Sequence, residues 1–277
     1  MNDKNRNLVL RVISALVLLP LVLWLLWLGG LAAILLVAVA SAIVASEIFG
    51  MAGLRLGHPA AIVSMLAAAS FSFFSADLEA RWPLALAVCA LVPLLCLGLL
   101  TLLPPEGDLQ KASIQSAFAA LAPTYAGLCL SAVVALRALP EPQAGAWILV
   151  ALVITWGNDT GAYFAGRFFG RHKLYPKVSP AKTWEGFAGG MVASVAGCFV
   201  VRALLPSDLS ALDCIVLGGV GGVLGPLGDL SESMLKRAFG VKDSGRIMPG
   251  HGGLFDRVDA LLFNAPWVFG YAFAIHG

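Results

Sequence analysis

Long, nearly uninterrupted apolar runs dominate the chain, each about the length a helix needs to cross a bilayer. They fall at Val12–Leu28, Leu31–Phe49, Ala60–Ala76, Pro83–Leu103, Ala112–Leu136, a run starting at Gly145, Phe187–Leu205, Ala211–Leu227 and Ala260–Ile275, nine in all. Backbone inside hydrocarbon must satisfy every N–H and C=O internally, so only helices and closed barrels span membranes. Barrel strands would alternate in polarity, and these runs do not. Composition agrees: 59% of the 277 residues are hydrophobic, 12% are charged, and the mean hydropathy is +0.87. A soluble domain carries about 25% charged residues. The expected fold is an all-α polytopic integral membrane protein of about nine transmembrane helices, forming a single membrane domain over residues 1–277.

Nine spans put the two ends of the chain on opposite sides, and basic residues mark the cytosolic one. With the N-terminus in the cytosol, 15 of the 18 Lys and Arg residues fall inside, leaving Arg81, Arg137 and Arg202 outside. The expected orientation is N-terminus cytosolic and C-terminus outside. Lys4, Arg6 and Arg11 precede the first run as in a signal peptide, but no small-residue cleavage site follows and the second run starts almost at once. The five cysteines all sit in apolar runs without a Cys-x-x-Cys pair, and read as small hydrophobes. Residues 1–140, the N-terminal membrane helices, say little beyond that. Residues 141–277 form a catalytic half, because acids and glycines gather in its two long cytosolic segments, 157–185 and 229–259. Between them the run at 211–227 carries Gly218, Gly219, Gly221, Gly222 and Gly225, a pattern that lets helix backbones approach closely.

Charges at membrane depth are costly and by default functional. Asp229 follows the 211–227 run, and Asp256 and Asp259 precede the last run three residues apart, a spacing that puts both on one face of a helix. Three converging carboxylates form a hard-cation site, and oxygen donors with room for substrate phosphate suit Mg²⁺; whether a second cation joins it stays open. Lys236, Arg237, Lys242, Arg246 and Arg257 around them suit several phosphates at once. Gly250, Gly252 and Gly253 allow backbone N–H groups to approach an anion. His251 reads as a phosphate donor, a loop anchor or a general base. In the other segment, Asp159, Tyr163 and Gly166 share the polar face of a continuing helix. Ser179, Lys182 and Thr183 echo the end of a P-loop, but the glycine-rich lead is absent and a Walker A site is rejected. Their hydroxyls and ammonium still make a phosphate cradle. Glu47, in the second apolar run, either lines the cavity or reaches to water, and stays off the set of site residues. Nothing points to nucleic acid.

The stretch Ser233-x-Leu-Lys-Arg-x4-Lys-Asp-x-Gly-x3-Pro-x-His-Gly-Gly-x2-Asp-Arg-x-Asp259 closely resembles the signature of the phosphatidate cytidylyltransferases, or CDP-diacylglycerol synthases. Ser179-Pro-x-Lys-Thr-x-Glu185 and Asp159-x-Gly-Ala-Tyr-x-x-Gly-Arg167 resemble that family's other recurring segments. The resemblance covers residues 157–190 and 225–262, with Met248 a mild departure where a Leu, Ile or Phe is expected. It implies transfer of CMP from CTP to phosphatidic acid with release of diphosphate, Mg²⁺ as cofactor, a homodimer, and a place in the bacterial-type inner membrane with the active site facing the cytosol. On this reading Asp229, Asp256, Asp259, Lys236, Arg237 and His251 are catalytic. Asp159, Arg167, Ser179, Lys182, Thr183, Glu185, Ser233, Lys242, Asp243, Arg246, Gly252, Gly253 and Arg257 bind substrate. The attacking phosphate is already anionic, so the reaction needs cations on the α-phosphate and leaving diphosphate more than a base.

Two other readings stay open. A different CTP-dependent lipid phosphotransferase would use much the same residues, although the Asp-x2-Asp-Gly-x2-Ala-Arg motif of CDP-alcohol phosphotransferases is absent. An ion or phosphate transporter would place its charges at the midplane on interrupted helices; here they cluster at the cytosolic ends.

Overall fold

The computed structural model describes residues 3–105, 108–140, 143–205, 207–248 and 252–276. His251 and Gly250 lie outside the described residues. The chain is almost entirely helical: α1 (Asp3–Leu28), α2 (Gly30–Met51), α3 (Pro59–Ser75), α4 (Leu78–Leu102), α5 (Leu109–Ala122), a π-helical turn (Pro123–Leu128) and α6 (Cys129–Arg137), then α7 (Gln143–Phe169). A hairpin of β1 (Lys173–Tyr175) and β2 (Ser179–Thr183) follows, then α8 (Trp184–Leu204), α9 (Ala211–Ala238), α10 (Phe255–Val258) and α11 (Leu261–His276). Among the described residues six helices are long and apolar enough to cross a membrane, and three more apolar helices are shorter: Leu16–Leu28, Pro59–Ser75 and Leu261–His276. The protein is an all-α integral membrane protein.

Two helices run further than hydropathy alone suggests. α7 continues through the Asp159 segment to Phe169, and α9 continues eleven residues past Leu227, the end of its apolar run, to Ala238. Asp229 therefore lies inside a helix instead of ending one. Side-chain pairs one turn apart carry the extension: Ser233 donates to Asp229 (3.3 Å) and Lys236 to Glu232 (2.9 Å). The last helix differs as well. Asp256 sits in the short α10, whereas Asp259 falls in the turn before α11, so the two do not share one continuous helix.

The chain divides into two compact units, one of residues 1–135 and 239–257, the other of residues 136–238 and 258–277. The first packs α2, α3, α4 and α5 together with the π-helical turn, and its core holds Phe49, Phe71, Leu100 and Phe255. Gly127 in that turn lies against the Ala68 backbone with no room for a Cβ. The returning segment docks through aromatic edges, Phe239 on Phe118 (4.9 Å between centroids) and Phe255 on Tyr125 (5.6 Å).

The second unit packs α7 against α8, α8 against α9, and α11 against both α7 and α9. The small-residue face of α9 does what its spacing predicts: Gly218 meets the Val195 backbone and Gly222 meets Met191, so neither site has space for a side chain. Between the helices runs a buried polar layer. Pro226 has no N–H, so it leaves the Gly222 carbonyl, four residues earlier, without its helical donor. Asn158 of α7 supplies one instead, its Nδ2 donating to Gly222 O at 3.1 Å and to Ser194 Oγ at 3.3 Å. Asn264 of α11 donates to Thr155 Oγ1 at 3.0 Å. These buried amides fix the rotation of α7, α9 and α11, and with it the direction in which the acids of α9 point.

Candidate active site

A cavity of about 480 Å³ opens in the second unit, walled by α7, the hairpin, α8 and α9. Leu174, Phe187 and Pro226 give it an apolar lining, and Asp159, Arg167, Lys182, Thr183 and Asp229 give it charge and hydroxyls. That size lies within the range of small-molecule sites. Five of the expected catalytic and substrate-binding residues thus meet in one cavity.

Lys182 is its pivot. The β2 strand delivers its Nζ to 2.7 Å from Asp229 Oδ2, and the same ammonium reaches the Pro226 carbonyl at 3.4 Å. Asp229 is joined by Asp259 and Glu232, with ligand oxygens from all three within 4.8 Å of one another. Glu232 is 2% exposed and pairs with Lys236 at 2.9 Å. The Asp259 carboxyl is pushed up to about 7, first by burial and then by the neighbouring Asp229 charge, with Asp159 adding and the Ala260 N–H and Lys182 opposing. A carboxylate held in such company gains most from a bound cation.

Other expected residues hold the frame. Thr183 caps α8, its Oγ1 accepting from Gly186 N at 3.1 Å. Glu185 folds back onto the hairpin entrance, accepting from Arg171 N (3.1 Å) and pairing with His172 Nδ1 (2.6 Å). Arg167 is exposed and donates to Tyr163 OH at 3.0 Å. Ser179 opens β2, and Arg237 lies exposed at the end of α9.

The remainder belong to the first unit. Lys242, Asp243, Arg246 and Arg257 are exposed there. Asp256 Oδ2 accepts from Ser244 N (3.0 Å), Ser244 Oγ (2.9 Å) and Gly253 N (2.8 Å). The anion that the Gly253 N–H meets is thus the chain's own aspartate. Gly252 has φ +84°, a conformation that favours glycine, and a side chain there would meet that carboxylate.

Sequence reasoning missed Glu232 and set Glu47 aside. Glu232 stands three residues after Asp229, a same-face spacing hidden once the helix is taken to stop at Leu227. Glu47 had as its signal a lone acid in an apolar run, and its partners could not be read from that.

The family model of the cytidylyltransferase family matches residues 9–275. The chain belongs to this family. It is similar to a phosphatidate cytidylyltransferase of Bacillus subtilis, 35% identical over 277 residues that cover 97% of both chains. It is 42% identical over 132 residues to one from Haemophilus influenzae, covering 46% of each chain. With one from Staphylococcus saprophyticus it shares 46% identity over 120 residues, covering 43% of this chain and 46% of that one. These family relationships agree with the resemblance carried by the two polar segments.

Proposed function

We infer that this protein transfers CMP from CTP to phosphatidic acid, giving CDP-diacylglycerol and diphosphate. The observation that carries this reading is a cavity with apolar walls lined by Lys182, Arg167, Asp159 and Asp229, with Lys182 paired to Asp229, in a chain of the cytidylyltransferase family. A lipid phosphate can enter along the apolar wall while the cations receive phosphate oxygens. In the reaction an oxygen of the phosphatidic acid phosphate forms a bond to the α-phosphorus of CTP. The bond from that phosphorus to the bridging oxygen breaks, and diphosphate leaves with its electron pair. The attacking oxygen is already anionic, so no side chain has to take a proton. Lys182 and Arg167 orient and neutralise the phosphates, and the buried Asn158 and Asn264 keep α7, α9 and α11 in register beneath them.

Asp229, Glu232 and Asp259 fit Mg²⁺, being an all-oxygen, carboxylate-rich donor set with ligand atoms within reach of one ion. When bound, the ion would supply positive charge to the phosphates of CTP. The carboxylates would hold it, beside the ammonium that Lys182 sets on Asp229. Asp159, which lines the same cavity as Asp229, is the candidate donor for a second cation.

The basic-residue bias supports an N-terminus in the cytosol, a C-terminus outside and an active site facing the cytosol of a bacterial-type inner membrane. A cysteine appended after Gly277 in a cysteine-free background should then react with an impermeant thiol reagent added outside intact cells. Labelling only after lysis overturns that orientation. The family resemblance favours a homodimer.

The test of function is detergent-purified protein incubated with CTP, phosphatidic acid and Mg²⁺, following lipid-linked CMP. Product should form with CTP or dCTP and not with ATP or GTP. Phosphorylation of a lipid alcohol without CMP transfer would instead make the chain a lipid kinase.

A further inference from the structure

Glu47 sits one turn before the end of α2 and is only 8% exposed, an acid in an otherwise apolar membrane helix. Its carboxylate accepts from Phe255 N at 2.7 Å, Leu254 N at 3.0 Å and Ser244 Oγ at 3.2 Å. These partners lie about two hundred residues further along the chain. Hydrogen bonds to an ionised acceptor are the strong ones, and three fixed donors converge on this carboxylate. The residues around it are shaped to let it in. A side chain at Gly245 or Gly253 would collide with the Glu47 carboxylate.

The segment it grips is the one whose polar pattern carries the family resemblance. Ser244 stands between Glu47 and Asp256, its Oγ within 3.2 Å of one carboxylate and 2.9 Å of the other. A hydroxyl has one proton and serves one of them at a time, while Ser244 N and Gly253 N hold Asp256 independently. Met248 N donates to Gly252 O at 3.0 Å and ties the stretch ending at Met248 to the one that starts at Gly252. The result is a cross-linked segment with Glu47 at its base and Lys242 and Arg246 exposed on it.

We propose that Glu47 is a positioning residue for the reaction: through Ser244 and the backbone of residues 254 and 255 it holds this segment, with Lys242 and Arg246 exposed on it, in the shape in which those two cations can receive phosphate. The proposal rests on the CMP-transfer reading above. Glu47 touches neither substrate nor metal; it acts through the segment.

The experiment uses full-length purified protein and the variants Glu47→Gln, Glu47→Asp and Ser244→Ala, varying CTP and phosphatidic acid separately. Glutamine places an amide donor where two N–H groups need an acceptor. Glu47→Gln should raise KM for CTP by about 10-fold or more, lower kcat, and leave KM for phosphatidic acid within about twofold. Trypsin cleavage after Lys242 and Arg246, without substrate, should accelerate by about 10-fold or more, since the anchor governs local opening. Glu47→Asp keeps the acceptor and should restore part of both effects. A role limited to packing would shift both KM values together and leave the aspartate no better than the glutamine. If Glu47→Gln fails to fold, Ser244→Ala decides by the same two readouts, with effects of about threefold. Wild-type KM for CTP and wild-type cleavage in a folded variant overturn the proposal. A wild-type protein that makes no lipid-linked CMP overturns the functional reading itself.

Discussion

Glu47 in the first unit and Asp259 in the second are both acids close to membrane helices, and the groups nearest their carboxylates differ. Glu47 is met by two backbone N–H groups and a hydroxyl, donors fixed in the fold. Asp259 is met by Asp229 and Glu232, with Asp159 adding its field and the ammonium of Lys182 offsetting part of it. An acid surrounded by donors holds a segment in place. An acid surrounded by acids leaves a charge for something else to neutralise, which is the ground for proposing a cation there.

The largest test of this contrast is turnover. Asp229→Asn and Asp259→Asn should each lower Mg²⁺-dependent CMP transfer by on the order of 10²-fold, the scale for losing one electrostatic contact of the transition state. The double variant should lose little more, because residues acting as a unit are not additive. Single variants that keep most of their turnover per folded molecule would move the metal away from this trio.

Lys182 sharpens the comparison, since the structure sets it directly on Asp229, at 2.7 Å. Lys182→Met should lower turnover by about 10-fold or more, because a cation meant for phosphate is gone. It should also reduce by a few-fold the Mg²⁺ concentration giving half-maximal activity, because a competing charge has left the carboxylates. A higher Mg²⁺ requirement would mean that Lys182 organises the acids instead of competing for them.

The smallest effects are on stability, and there the two acids should carry opposite signs. With its carboxyl raised to about 7, Asp259 keeps in the folded protein a proton that the unfolded chain has released, from about pH 4 upward. The folded state therefore loses stability as pH rises through that window, and the loss is complete above about pH 7. In EDTA at pH 8, Asp259→Asn should raise Tm by a few degrees, roughly the response to 1 kcal/mol, and below about pH 4 it should change nothing. Glu47→Gln under the same conditions should lower Tm, since it strips an acceptor from buried donors. Shifts of the same sign, read by thermal unfolding at both pH values, would erase the distinction between the two acids.

How much of this was readable beforehand depends on the range of the interaction. Each membrane run was legible because lipid demands about twenty apolar residues whatever the neighbours are. Asp159, Lys182 and Asp229 were legible because charge at membrane depth needs a reason, and the cavity brings all three together. Where α9 stops was not legible. Past Leu227 the helix is carried by Ser233 on Asp229 and Lys236 on Glu232, contacts that hydropathy does not register, and misplacing its end hid Glu232.

The sequence by itself therefore determined the class of the protein, from composition and run length, and its family, through the resemblance of its two polar segments. Only the tertiary structure decided which acids face one another and which face donors. Glu47 becomes an anchor because Ser244, Leu254 and Phe255 return to it from the far end of the chain. Asp259 comes to face Asp229 and Glu232 because the buried amides on α7 and α11 and the proline of α9 fix how those helices are turned. A carboxylate's role is set by the charges and donors within a few ångströms of it, and in these two cases the groups that decide it are supplied by distant parts of the chain.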